Sequence, residues 1–197
     1  MKKYIKTILI ITVLALLGVG YFWYLSNKEP STQTVENENN NRELEALLTR
    51  DIDNGYPQSP KEVVKLYSRI TEAYYKTKLT EDQINTLGRQ ARKLFDEELL
   101  GTQTEEEFLA ALKKDIEEYN NLNRYVSDYK VDESENVEYK TFDERKYASL
   151  NAVYMIRQGS ALANSNTKYM LRQDGEGRWK ILYWELDRAA NSETSTQ

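Results

Sequence analysis

The spacing of apolar residues changes once along this chain, near Asn123, and that change limits the fold more than any other feature. Before it, apolar residues recur every three or four positions. After it, they recur every second position. The first period belongs to helices that bury one stripe, the second to strands that bury one face. Three helix starts precede the change. Ser59-Pro60-Lys61-Glu62 offers a capping serine, a proline at the first helical position and a glutamate that reaches back. Val63, Leu66, Tyr67, Ile70 and Tyr74 then fall on one stripe. Thr80-Glu81-Asp82-Gln83 repeats the box, followed by Ile84, Leu87, Ala91, Leu94 and Phe95, with Gly101 as the expected stop. Thr104-Glu105-Glu106-Glu107 is the third box, followed by Phe108, Leu112, Ile116 and Tyr119.

Beyond Asn123 the pattern predicts strands over residues 125–131, 137–142, 147–158, 167–173 and 178–186. In the third, Ala148, Leu150, Ala152, Tyr154 and Ile156 share a face. In the last, Trp179, Ile181 and Tyr183 share one, with Glu185 beyond them. Residues 160–166 are small and polar and read as a turn. Asp174-Gly175-Glu176-Gly177 reads as a glycine hairpin. Short connections between strands require antiparallel pairing. Helices first and strands after make an α+β fold: three helices packed on an antiparallel sheet of four to five strands.

A different signal precedes the domain. Residues 7–25, TILIITVLALLGVGYFWYL, carry no charge. Nineteen residues in a helix, at about 1.5 Å each, span a bilayer core. Lys2, Lys3 and Lys6 precede the run and only Lys28 follows closely, so the N-terminus is expected in the cytoplasm and the rest outside. Tyr21, Phe22, Trp23 and Tyr24 cluster at the outer end, where amphipathic rings favour the headgroup region. A cleaved signal peptide is the rival reading, with residues 8–17 as its apolar region and Gly18-Val19-Gly20 as its cleavage site. The apolar run continues to Leu25, which favours a retained anchor. The expected organisation is a cytoplasmic tail (1–6), a transmembrane anchor (7–25), a linker ending in a short helical lead-in at 42–50 (26–50), the folded domain (51–188) and a disordered tail (189–197). Residues 26–41 are too polar to bury a core and read as a tether.

Composition narrows the chemistry. The chain has no histidine and no cysteine. Zinc and thiol sites of the usual kinds, histidine-assisted hydrolysis and disulfides are therefore excluded. Without Lys2, Lys3 and Lys6, the count is 24 basic against 32 acidic residues, a net charge of −8. Such a surface is a poor match for nucleic acid, and none is expected as a partner. Asp51-Ile52-Asp53 with Glu62 resembles a calcium loop only faintly. Tyr56 stands where the turn glycine belongs, so the segment reads as a turn and helix cap.

The helix stripes, the curved sheet they would cover, and the turn running into Arg178-Trp179-Lys180-Ile181 resemble the nuclear transport factor 2-like cone. The resemblance covers about residues 56–186. Three stretches are also similar to an uncharacterised family of membrane-anchored proteins of clostridia-like Gram-positive bacteria: Tyr56-Pro57-Gln58-Ser59-Pro60-Lys61-Glu62-Val63-Val64-Lys65-Leu66-Tyr67, Leu94-Phe95-Asp96-Glu97-Glu98-Leu99-Leu100, and Gly177-Arg178-Trp179-Lys180-Ile181. The closer family implies a location and a fold but no activity. The wider superfamily holds isomerases, dehydratases, binding modules and secretion scaffolds, so fold alone does not choose among them. Its dehydratases use an Asp/His pair that cannot be assembled here.

The positive clue is aromatic. Tyr67, Tyr74, Tyr154, Tyr169 and Tyr183 are expected to face the inside of the cone, as the walls of a ligand pocket or as filled core. No catalytic residue, metal or cofactor is assigned. The expected function is a non-enzymatic, membrane-anchored, extracytoplasmic binding or scaffold module of the bacterial cell envelope. Its expected partners are the bilayer, through residues 7–25, and a small apolar ligand, a peptide or an envelope protein, with homodimerisation through the sheet. Two alternatives stay open: a structural inner-membrane subunit of a secretion or conjugation machine, and a carboxylate/tyrosine-dependent isomerase or lyase.

Overall fold

Ser59 caps a 17-residue helix by accepting a hydrogen bond from the Glu62 amide, with Pro60 at its first position, as the sequence predicts. The structure, a computed structural model, describes residues 31–187, with side chains from residue 40 onward. The expected cytoplasmic tail, the anchor at 7–25 and the tail at 189–197 lie outside the described residues. Among the described residues, no helix is long and apolar enough to cross a membrane.

The chain divides into two units, Met1–Glu43 and Leu44–Gln197. The first is helical over its described residues, 31–43, which form the start of α1 (Ser31–Leu48). This differs from the expected tether. No glycine or proline interrupts residues 31–48, and extending a helix that is already nucleated costs little. The second unit holds the folded domain, and the lead-in belongs to it: Leu44 and Leu47 are buried in its core.

The helices of the domain are α2 (Pro60–Lys76), α3 (Glu81–Lys93), the single turn α4 (Glu97–Leu100) and α5 (Glu105–Asn121). Both threonine capping boxes form as expected, Thr80 with Gln83 and Thr104 with Glu107. Gly101 ends α4, not α3, because α3 already stops at Leu94. Helices α3 and α5 meet closely at Gly88, where a Cβ would collide with the Leu109 side chain. Asn123 follows α5 with φ of 49°, the left-handed turn that asparagine tolerates after a helix.

Five antiparallel strands follow: β1 (Arg124–Val131), β2 (Glu138–Phe142), β3 (Arg145–Gln158), β4 (Ala161–Gln173) and β5 (Trp179–Leu186). The fold is α+β with an open sheet in the order β1-β3-β4-β5. β2 pairs with the first part of β3 and β1 with the second, so both lie along one edge of β3. Residues 161–166, read as part of a turn, are strand. They extend the β3–β4 ladder to Gln158↔Ala161, and the turn shrinks to Gly159 and Ser160. Gly159 takes φ of 59° at the first turn position, where a two-residue hairpin calls for glycine. Polarity misled the reading because most of these residues face solvent on both sides of the ribbon.

The core forms where α2 lies across one face of the sheet, with α5 against β1 and α3 packed on α2 and α5. Val63, Ile70, Leu87 and Ala91 from the helices meet Ala148, Leu150, Leu171 and Ile181 from the strands. Trp179 is buried, and its carbonyl accepts a hydrogen bond from the Tyr56 hydroxyl at 2.8 Å.

The outer edge of β5 is partly covered. Phe95 bridges Ile181 in parallel, with Ile181 N–H donating to Leu94 O and Asp96 N–H to Ile181 O, both at 2.8 Å. Beyond this bridge, a β-bulge shifts the β4–β5 register. Leu171 faces Ile181, but Met170 faces Tyr183, so Leu182 is the extra residue. Inner and outer faces exchange there. Trp184 turns inward and stacks near Tyr67, Phe95 and Tyr169, with ring centroids 5.6, 5.7 and 6.4 Å apart. Tyr183 is 45% exposed opposite Met170, and Glu185 is also exposed.

Candidate functional site

The five expected pocket tyrosines separate into three groups. Tyr154 and Tyr169 are core residues. Their hydroxyls are 2.6 Å apart, and Tyr154 also pairs with the fully buried Ser68 hydroxyl at 2.8 Å. That chain satisfies both phenols inside the protein, which is what burying them requires. Tyr183 lies outside the cluster, because the bulge exchanges it for Trp184. Tyr67 and Tyr74 line a cavity together.

That cavity has a volume of about 250 Å³ and lies between α2, α5 and the end of β5. Tyr67, Thr71, Tyr74 and Tyr75 come from α2 at helical spacing, with Thr71 donating to the Tyr67 carbonyl at 3.0 Å. Phe108, Leu112 and Asp115 come from one stripe of α5, with Ala111 beside them. Trp184 supplies a wall from β5. Thr104's capping box fixes the first turn of α5, and so the phase at which Phe108 and Asp115 face the cavity.

Polar groups interrupt this aromatic surface, Gln103 among them. The Tyr75 hydroxyl donates to the Asp115 carboxylate. The Tyr75 ring also packs on Tyr119, with centroids 4.3 Å apart, which fixes the donor. The Tyr74 hydroxyl is buried and has no hydrogen-bond partner among the described residues. A phenol without a partner inside a protein costs roughly 1–3 kcal/mol, so such groups are rare without a reason.

Burial pushes the Tyr67, Tyr74 and Tyr75 hydroxyls above the usual phenol range. At Tyr75 the hydrogen bond to Asp115 pushes in the same direction. At neutral pH these groups are hydrogen-bonding phenols, not acids.

Sequence reasoning missed Thr71, Tyr75, Phe108 in this role, Asp115 and Trp184. One signal was present: Asp115 comes seven residues after Phe108 and three after Leu112, an acid on an apolar stripe.

A second depression, of about 610 Å³, lies near the β4–β5 turn. Its charges are largely engaged with one another. Arg172 bonds Asp96 and Glu98, Arg178 bonds Asp174 and Glu176, and Lys180 donates to the Lys93 carbonyl at 2.6 Å. The Asp51 segment is likewise closed on itself. Its carboxylate accepts from the Asp53 and Asn54 amides at 3.1 Å, and Glu62 accepts from the Gln58 amide at 2.8 Å. Among the described residues, no group of acids is arranged to hold a metal ion.

Comparison with curated proteins finds no match. The model of the family described as a domain of unknown function, DUF6715, matches residues 1–184, nearly the whole length, and the chain therefore belongs to that family.

Proposed function

We propose that the domain is a binding module held outside the cytoplasm by the apolar run at residues 7–25, and that it takes a small ligand into the aromatic cavity. The observation that carries this reading is the lining of the 250 Å³ cavity, where Tyr67, Tyr74, Tyr75 and Trp184 gather around a few polar groups. The rings supply contact area at little cost in conformational entropy. We place the fold with the nuclear transport factor 2-like cones and the protein in the bacterial envelope. The order of helices and strands supports the first. The lysine-flanked N-terminus supports the second. The isomerase reading is weaker, because Asp115 touches Tyr75 yet remains exposed to water, whereas a catalytic base of that type is desolvated.

The test is ligand-observed NMR on the full chain in a mild detergent against a set of small soluble organic molecules. Ala111 lines the cavity from an exposed position, so Ala111→Trp plugs it without disturbing the core. Binding that the plug abolishes supports the reading. Binding that survives the plug, or none at all, refutes it.

A further inference from the structure

The charges around the cavity are unbalanced. Asp115 has no cationic partner among the described residues; its one bond is from the neutral Tyr75 hydroxyl. The arginines that sit on neighbouring rings do not pair with it: Arg92 lies over Phe108 and Arg124 over Tyr119, each with its guanidinium carbon 5.5 Å from the ring centroid. Lys113, two residues from Asp115, is bound to Glu81. Beside this carboxylate, Tyr67, Tyr75 and Trp184 contribute aromatic rings to the same wall. The face of an aromatic ring is negative and attracts cations, tryptophan most strongly. A carboxylate without a partner attracts them as well.

From this geometry we infer that the cavity selects small organic cations, alkylammonium groups above all. The inference rests on the binding reading above and names its ligand class. The ammonium sits against the rings within reach of Asp115. At about 250 Å³ the space is smaller than a typical drug-sized site, which restricts the ligand to a few heavy atoms. The domain's net negative charge favours the approach of such ligands and repels anions.

Choline and 3,3-dimethylbutan-1-ol test this directly, because they share a shape and differ in having nitrogen or carbon at the centre. Isothermal titration calorimetry with the full chain in mild detergent should show choline binding about tenfold or more tightly than the alcohol. Asp115→Asn keeps an acceptor for Tyr75 and should weaken choline about fivefold or more while leaving the alcohol unchanged. Glu117→Gln, on the exposed face of the same helix, controls for general charge and should change neither. Equal affinity for the two probes overturns the cation inference and leaves the cavity reading intact. Binding of neither probe also overturns it, and the plugged-cavity NMR experiment then decides the broader reading separately. An equal loss with Glu117→Gln and Asp115→Asn would assign the effect to surface charge and refute the site.

Discussion

Replacing Asp96 with alanine leaves a guanidinium inside the protein without its main partner. The Arg172 side chain is 6% exposed and that of Asp96 4%. Arg172 Nε donates to Asp96 Oδ2 at 3.0 Å, and Nη2 donates to the other oxygen. Nη1 reaches Glu98 at 2.6 Å, but Glu98 is largely exposed and weakly placed to compensate. Asp96 also caps α4, accepting from the Glu98 amide at 3.0 Å. Breaking a buried pair from one side costs about 3–5 kcal/mol, and losing a cap about 0.5–2 kcal/mol. Water entering beside Glu98 offsets part of this, so Asp96→Ala should cost about 3–5 kcal/mol in total. Equilibrium urea unfolding of the full chain in detergent, followed by tryptophan fluorescence, measures it. The double variant Asp96→Ser with Arg172→Met keeps a capping oxygen and removes both charges, so it should recover at least half of the loss. A cost below about 1 kcal/mol for Asp96→Ala, or no recovery in the double variant, would show the pair to be solvated and refute the argument. The pair also matters to the cavity. Asp96 continues the strip that holds Phe95 against β5, and Phe95 packs on Tyr67 and Trp184.

Tyr154→Phe breaks the Ser68–Tyr154–Tyr169 hydroxyl chain and should cost about 0.5–1.5 kcal/mol in the same urea assay; no change would place that hydroxyl in contact with water. Burial raises the hydroxyls of Tyr56, Tyr67, Tyr74, Tyr75, Tyr154 and Tyr169 above the ordinary 10.0, so the stability they carry is complete below that pH and lost as pH rises beyond it. Each contributes a slope of about 1.4 kcal/mol per pH unit, and a stability that stays flat to about pH 11 would contradict their burial. A reporter that works only outside the cytoplasm, fused after Gln197, should be active; an inactive reporter would refute the proposed topology.

The helices were legible because each begins with a local chemical signal. Ser59, Thr80 and Thr104 cap where they stand, and their stripes are buried much as the spacing predicts. The strands were legible where alternation was set by one buried face, as from Ala148 to Tyr154. Residues 161–166 were not, because a strand that buries little carries no alternation and only the ladder to β3 identifies it. The site was harder to read for the same kind of reason. Tyr67 and Tyr74 could be placed on a helical face, but Asp115, which lines the same cavity, lies forty or more residues away on another helix. Pairing between elements comes from tertiary packing, which no local pattern encodes.

The bulge at Leu182 was the least visible feature, and it decides which aromatic residue belongs to the cavity. Strict alternation from Trp179 and Ile181 puts Tyr183 inside and Trp184 outside. One extra residue reverses them, and Trp184, not Tyr183, then meets Tyr67, Phe95 and Tyr169. The two arrangements differ in a measurable way. Trp184 is 39% exposed, so more than half of a large ring is buried, and Trp184→Ala should cost about 2 kcal/mol, less than the 3–5 kcal/mol of a fully buried tryptophan. Tyr183→Ala removes a ring that stands on the outer face and should cost under about 1 kcal/mol. Deleting Leu182 restores a regular ladder while Ile181 and Trp184 keep their inward facing, so this variant should fold and retain the cavity, losing only the half-buried leucine. Urea unfolding ranks the three variants. If Tyr183→Ala proves the costlier of the two substitutions, the register is unbroken, Trp184 faces outward, and the cavity loses the wall that the bulge gives it.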